Sequence, residues 1–314
     1  MTRVTAPSRL HFGLLHVPLG VTAASERSFG GVGLMIDRPG VVVSARPAAA
    51  WQFEGMLASR AQEFAHRFLA GRADCPPLQV LVERCPEQHT GLGAGTQLGL
   101  AIGLAIASEL GESGLAAVEI AERVGRGQRS AVGVHGFDRG GLIVEMGKLP
   151  SEPIAPLFRA LTLPETWRVA VFVPQGEAAW HGGREEQAFA AAGTGLHIDS
   201  LTATLTDLML QRIVPAAEAG HLTDFGEAVH EFNRRAGEPF AAAQGGPYSS
   251  AAVAEIIGRL RKLGVAGVGQ SSWGPAVFAI VESADRAAGL VRQLQGAARG
   301  WTARISPGGT VETA

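Results

Sequence analysis

The stretch Glu87–Glu109, EQHTGLGAGTQLGLAIGLAIASE, constrains this chain more than any other. A polar, turn-forming lead-in from Pro86 to Thr90 meets three alternating glycines, Gly91, Gly93 and Gly95. Thr96–Gln97 follow, and then an unbroken helix-forming segment, Leu98–Leu110. Glycine lets a backbone bend sharply and approach a ligand with no Cβ in the way. A helix that follows turns its unpaired N–H groups and its positive dipole end back on the loop. Together they make an anion site, and phosphate is the usual anion. Leu98, Ala101, Ile102, Ala105 and Ile106, extended by Leu100 and Leu104, make the helix apolar nearly all round. That pattern predicts a buried helix beneath a rigid cradle. The plainer reading of Thr96 and Gln97 is helix capping.

At 314 residues the chain exceeds one average domain, so one large or two interlocked domains are expected. A net charge of −2, with no Lys/Arg run or aromatic-interleaved basic patch, predicts no nucleic-acid partner. Arginine dominates the cations, and its planar fork suits phosphate and carboxylate clamps. Cys75 and Cys85 lack metal-ligand spacing and are expected to be reduced thiols. The opening residues, MTRVTAPSRLHFGLL, show no signal-peptide core. The longest apolar run, Leu98–Ala107, is too short to cross a bilayer. A cytoplasmic enzyme with no membrane partner fits these limits, and a homodimer is the base-rate assembly.

Arg9–Val17 reads as a strand, and Leu34–Ile36 and Val41–Val43 flank the turn signal DRPG, which predicts a hairpin. Met56–Ala70 has helical spacing, and Leu78–Val82 is a strand leading to the glycine loop. Ser113 is placed to cap a second helix. A glycine- and arginine-rich stretch, Gly125–Gly141, reads as a substrate loop before the strand Leu142–Met146. The proline-marked connector from Ser151 divides the chain into 1–155 and 156–314. Beyond it, Trp167–Val173 is a strand, and helices follow near Ile198–Ile213, Leu222–Arg235 and Ser249–Leu263, with Pro215 ending the first. A second glycine-rich loop, Gly264–Pro275, precedes the strand Ala276–Val281, the helix Ser283–Leu294 and the strand Trp301–Ile305. Strands and helices mix without strict βαβ alternation, which predicts an α+β fold.

The common glycine-loop families do not fit. A dinucleotide fold needs a second strand after the loop helix, and here another helix follows. A P-loop needs G-x-x-x-x-G-K-S/T, and the segment has no lysine. A protein-kinase loop needs a lysine-bearing strand and an HRD-type loop.

The chain resembles the GHMP kinase superfamily, small-molecule kinases and their relatives, on three stretches in order. They are RLHFGLL (Arg9–Leu15) with FGGVGLMID (Phe29–Asp37), GLGAGTQLG (Gly91–Gly99) where those kinases have G-L-G-S-S, and GVAGVGQSSWGPAVFAIV (Gly264–Val281). The resemblance implies an N-terminal domain of the ribosomal-protein-S-five type and a C-terminal ferredoxin-like α/β domain, with the site in the cleft between. GLGAGTQ with the tetrad Gln270–Ser271–Ser272–Trp273 is similar to one branch, the β-ribofuranosylaminobenzene phosphate synthases of methanopterin biosynthesis. That branch joins phosphoribosyl pyrophosphate to 4-aminobenzoate or 4-hydroxybenzoate and releases pyrophosphate and CO₂, as a glycosyltransferase. One departure is His16, where the branch leads one to expect an acid.

Such a reaction needs a diphosphate cradle, a phosphate grip, a benzoate grip and a water-poor cleft. The cradle is expected at Gly91, Gly93, Ala94, Gly95, Thr96 and Gln97, with Mg²⁺ sharing the charge and no organic cofactor. Arg9 and His11 alternate on the first strand and so share a face, which makes them candidate ligand contacts. Arg126, Arg129 and Arg139 suit the phosphate or the carboxylate. Asp138, near where the kinases keep an aspartate in S-G-x-D, is a candidate for Mg²⁺ or a ribose hydroxyl, or a simple turn former. Trp273 would stack on an aromatic substrate, with Gln270, Ser271 and Ser272 beside it. Arg27, His135 and His181 are weaker candidates, and HGGREE (His181–Glu186) has the wrong spacing for a zinc helix. The competing functions are an ATP-dependent small-molecule kinase, disfavoured by Ala94–Gly95 in place of a serine pair, and a non-catalytic ligand-binding relative.

Overall fold

The structure is a computed structural model that describes residues 1–17, 23–72, 74–112, 114–175 and 198–313. Ser113 and His181–Glu186 lie outside the described residues. Two sheets organise the rest. In the first, β1 (Thr2–His16) and β2 (Phe29–Pro47) are long antiparallel partners. The strand order is β11 (Thr310–Thr313), β1, β2, β4 (Leu78–Arg84), β3 (Gln52–Gly55), with β5 (Leu142–Glu145) also paired to β2 and β6 (Leu157–Leu161) paired to β5. Strands from the second half of the chain, β6 and β11, therefore complete this sheet.

The hairpin expected at DRPG does not form. Residues on both sides of it pair with β1: Ile36 faces Ser8 and Val41 faces Ala6. Both valine-rich and leucine-rich segments bury a face against one continuous partner, so Asp37–Gly40 is taken up as a bulge in a single strand. The Asp37 carboxylate accepts from the Arg304 amide and guanidinium.

The helices α1 (Ala58–Phe68), α2 (Ala94–Glu109) and α3 (Ala117–Val124) cover one face of the first sheet. α2 is the central one, with Gln97 through Ile102 buried in succession. It begins four residues before the expected Leu98, so Thr96 and Gln97 sit inside its first turn and do not cap it. The glycine- and arginine-rich stretch holds a helix of its own, α4 (Val132–Arg139).

The second sheet, β10 (Ala298–Arg304), β7 (Arg168–Pro174), β9 (Val277–Val281), β8 (Gly267–Gln270), is antiparallel throughout. This is the strand order of a ferredoxin-like domain. α9 (Ala251–Lys262) and α10 (Ala284–Gln293) cover one face, each capped by a serine hydroxyl, Ser250 and Ser283. On the other face lie α5 (Ile198–Asp207), α6 (Val214–Ala219) and α7 (Leu222–Gly237). α8 (Ala241–Gln244) is a short turn after α7. Pro215 does not end its helix. A wider π turn, Leu208–Ile213, joins α5 to α6 and absorbs the missing proline N–H, and Gly220 at φ 67° ends the run.

The two sheets share a core. Leu10 and Phe12 of β1 pack with Phe278 and Ile280 of β9 and with Phe225, Val229 and Phe232 of α7. The Phe12 and Phe278 rings are 4.9 Å apart. Among the described residues no helix is long and apolar enough to cross a membrane. Tight packing yields a test on α2. A Cβ at Gly103 would stand 2.4 Å from Ile120 Cγ2 and 3.1 Å from Phe68. Helix propensity alone favours Gly103→Ala by about 1 kcal/mol, but overpacking costs about 1–3 kcal/mol. Urea unfolding is expected to show a less stable variant; a gain would mean the α2–α3 contact is loose.

Candidate functional site

The two glycine-rich loops meet backbone to backbone. Gly91 has φ 89°, and a Cβ there would lie 2.1 Å from the Ser271 carbonyl. A Cβ on Gly274 would lie 2.1 Å from the Gly91 nitrogen. Ser271 closes the contact: its hydroxyl donates to the Gly91 carbonyl at 2.7 Å and accepts from the His11 amide at 3.0 Å. The Ser272 amide donates to the His11 carbonyl at 3.0 Å, with Ser272 at φ 55°. Three elements, β1 and both loops, are thereby fixed to one another.

Gln270 and Asn233 brace this junction. The Asn233 amide donates to the Phe12 and Gln270 carbonyls, and its oxygen accepts from the Gln270 amide. The Gln270 side chain accepts from Ser249 N at 2.7 Å and donates to the Ser272 carbonyl at 2.9 Å. The Gln270 and Ser271 side chains thus hold backbone, which makes them positioning residues.

A cleft of about 520 Å³ opens at the junction. Its lining brings together Arg9, Arg60, Arg126, Arg129 and Thr96 of the first turn of α2 with Phe240, Tyr248 and Trp273. His11, Gln270 and Ser272 also line it. Gly93 begins α2 at φ 73° without a side-chain cap, and no acid occupies the first turn. The helix start therefore keeps its positive end for a ligand. A Cβ at Gly95 would sit 3.3 Å from Arg60 and 3.5 Å from Arg126, so the glycine leaves open the space beneath both guanidiniums. Arg126 donates to the Thr96 hydroxyl at 3.5 Å. Burial lowers the Arg126 pKa, and the charges of Arg60, Arg67 and Arg129 lower it further. Like charges gathered this closely favour a bound anion. Trp273 meets Phe240 edge to face at 4.4 Å.

Of the residues expected at the site, Arg9, His11, Thr96, Arg126, Arg129, Gln270, Ser272 and Trp273 line the cleft. Gln97 is buried beneath it and donates to the Gly133 carbonyl. The fold does not bring Asp138 and Arg139 there. Both sit on the exposed last turn of α4, and the Asp138 carboxylate accepts from Ala117 N at the start of α3. Gly133, at the start of α4, faces Arg9 and Gln97. His16 lies at the end of β1, outside the lining, with its pKa lowered by burial and then by Arg27. Arg27 pairs with Glu152, and His135 bonds the Ala155 carbonyl. Among the described residues, the cleft lining contains no carboxylate, and no group of three His, Cys, Asp or Glu fits a metal. These donors do not suit a protein-held Mg²⁺.

Two residues of this region went unread in the sequence. Arg60 lies on α1, outside the buried stripe of Ala61, Phe64, Ala65 and Phe68. Glu145 ends the strand Leu142–Glu145 and is fully buried. Its Oε1 accepts from the Ser130 hydroxyl at 2.7 Å and from Ala131 N at 2.8 Å, and Ser130 Oγ is 3.0 Å from His11 Nε2. A lone acid in an apolar strand was the available signal.

Burial pushes the Glu145 carboxyl up to about 7, against the hydrogen bonds and the Arg9 charge that lower it. A carboxyl raised in the folded state stabilises the protein below its unfolded value, 4.5, and that contribution is lost as pH rises through about 7. Relative to Glu145→Gln, wild-type unfolding free energy should fall by about 3 kcal/mol between about pH 4.5 and about pH 8. A pH-independent difference in urea titrations would contradict the assignment. Ser271→Ala removes two bonds at the loop junction and should cost about 1–3 kcal/mol in the same measurement.

Residues 213–299 match the family model described as GHMP kinases C terminal. Solved structures share the fold over nearly the whole chain. A homoserine kinase from Cytophaga hutchinsonii has a TM-score of 0.71 at 13% identity, covering 99% of this chain and 97% of its own. Mevalonate pyrophosphate decarboxylase from Streptococcus pyogenes has a TM-score of 0.68 at 12% identity, covering 98% and 97%. In sequence, the chain is 30% identical to β-ribofuranosylphenol 5′-phosphate synthase of Methanothermobacter thermautotrophicus, over 94% of both chains. It is also 30% identical to the synthase of that name from Archaeoglobus fulgidus, over 94% of this chain and 92% of the relative. On the GHMP kinase fold, with that identity along its length, this chain belongs to the β-ribofuranosylphenol 5′-phosphate synthase family.

Proposed function

We propose that the cleft joins phosphoribosyl pyrophosphate to a para-substituted benzoate through a C–C bond, releasing CO₂ and pyrophosphate, as a step of tetrahydromethanopterin biosynthesis. The observation that carries this reading is one cleft whose described lining joins four arginines and Thr96 of the uncapped α2 start, with no carboxylate, to three aromatic side chains. The first suits a polyanion and the second an arene. The relatives' names carry a phenol, which puts 4-hydroxybenzoate first as substrate and 4-aminobenzoate second. Ala94–Gly95 in place of a serine pair and the bulky Gln270–Trp273 stretch weigh against the kinase alternative.

In this reading the diphosphate lies over Gly93–Thr96, with Arg126 and Arg60 above it. Those fixed charges meet the charge that grows on the leaving group, the kind of stabilisation whose removal typically costs ~10²–10³ in rate. The ribose C1 gains cationic character as the bond to diphosphate breaks. The ring carbon that bears the carboxylate attacks it, and loss of CO₂ restores aromaticity. Trp273, Phe240 and Tyr248 orient the ring, so that positioning supplies much of the acceleration. Mg²⁺ would enter as the counter-ion of the diphosphate, and no step here depends on a protein ligand to it.

Carboxyl-labelled 4-hydroxybenzoate incubated with phosphoribosyl pyrophosphate and Mg²⁺ is expected to release labelled CO₂ in step with pyrophosphate. ATP consumption on a small alcohol without CO₂ release would establish the kinase reading instead, and binding without turnover the non-catalytic one. Arg126→Ala should lower kcat/KM for phosphoribosyl pyrophosphate by about 10²-fold. Trp273→Ala should raise the benzoate KM by about tenfold, the equivalent of ~1.4 kcal/mol of ring contact. Full activity in both variants would put the reaction elsewhere.

A further inference from the structure

Behind the cleft, a file of three side chains runs from its lining into the core. His11 is on β1, Ser130 on the turn before α4, and Glu145 at the end of β5. His11 and Glu145 are 3% and 0% exposed. The Ser130 hydroxyl has a single proton, which it gives to Glu145 Oε1. Its contact with His11 Nε2, at 3.0 Å, therefore leaves Ser130 as the acceptor and His11 as the donor. With Nε2 protonated, a neutral imidazole keeps Nδ1 as its acceptor. The other carboxylate oxygen, Glu145 Oε2, is buried and has no hydrogen-bond partner among the described residues. A buried acid left half-bonded in this way is costly, and buried acids with perturbed pKa values cluster at functional sites.

We infer that Glu145, acting through Ser130, holds His11 as the Nε2–H tautomer and takes up the proton that His11 Nδ1 removes from the para hydroxyl of the benzoate. The inference rests on the reaction proposed above. As the ring carbon attacks ribose C1 and the bond to diphosphate breaks, the phenolic O–H proton passes to Nδ1. The Nε2 proton passes to Ser130 Oγ, and the Ser130 proton to Glu145 Oε1. When the bond to CO₂ breaks, its electron pair returns to the ring and the proton flows back to the phenolic oxygen. The relay ends each cycle as it began. Glu145 is a positioning residue here, because it reaches the substrate through His11.

The surroundings suit the role. Burial keeps His11 neutral, helped by the Arg9 charge. Burial also raises the Glu145 carboxyl to about 7, where it gains and loses a proton readily. The charged group acting on it from β1 is Arg9. β2 faces it with Gly31 and β6 with Leu157, and the cation of β6, Arg159, pairs with Glu218. The α4 histidine, His135, is bonded to Ala155 O.

Glu145→Gln is the test, with turnover followed from about pH 5 to about pH 9 on both benzoates. For 4-hydroxybenzoate, kcat should fall about 10²-fold with KM little changed, and the acidic limb near pH 7 should vanish. For 4-aminobenzoate, whose ring needs no proton removed, the loss should be far smaller. Equal losses on the two substrates, or an acidic limb that survives in Glu145→Gln, would overturn the relay. A measurement independent of turnover and of the variant's folding uses ¹⁵N-histidine NMR of the wild type. His11 should carry its proton on Nε2; a proton on Nδ1 would also overturn the relay. If the wild type forms product from neither benzoate, the proposed reaction falls and takes the proton donor with it. If product forms and the tautomer is wrong, the relay alone falls.

Discussion

The hydroxyl of Ser271 is the contact on which the site depends. By donating to Gly91 O and accepting from His11 N, it fixes the N-terminal glycine loop, the first strand and the C-terminal loop in one arrangement. No side chain fits between Gly91 and Gly274, so the two backbones touch. A substrate bound there meets groups from both halves of the chain. The buried bracing by Asn233 and Gln270 has the same consequence. Polar side chains in a core are costly unless their bonds are met, and here they are met by the backbone of the elements they hold.

Charge distribution then decides what such a junction can take. Arg60 and Arg126 hang over a helix start that has no acid and no side-chain cap. Phe240, Tyr248 and Trp273 line the same cleft. In the proposed reading, the helix start and the arginines take the diphosphate, and Trp273 adds a flat apolar surface for the ring. The fold supplies the cradle, and the side chains around it supply the chemistry.

Much of this was legible in the sequence because it rests on short-range rules. Alternating glycines before an apolar helix forecast both the loop and the burial of α2, and Arg9 and His11 follow from the alternation of a strand. What escaped rests on long-range pairing. DRPG carries a genuine turn signal, yet β1 is long enough to pair on both sides of it, so the signal becomes a bulge. Pro215 should break a helix, and a π turn before it absorbs the defect. Asp138 looked like a site residue from its neighbours, but α4 turns it outward to cap α3. Glu145 looked like the polar end of a buried strand, and only the fold sets Ser130 and His11 beside it.

The most direct measurement of the central claim is a crystal structure of the protein with pyrophosphate and 4-hydroxybenzoate bound together. The account predicts the diphosphate over Gly93–Thr96 within hydrogen-bond reach of Arg126. It predicts the ring against Trp273, with its hydroxyl near His11. Pyrophosphate bound elsewhere, or a ring lodged away from Trp273 with the arginines left to solvent, would contradict it.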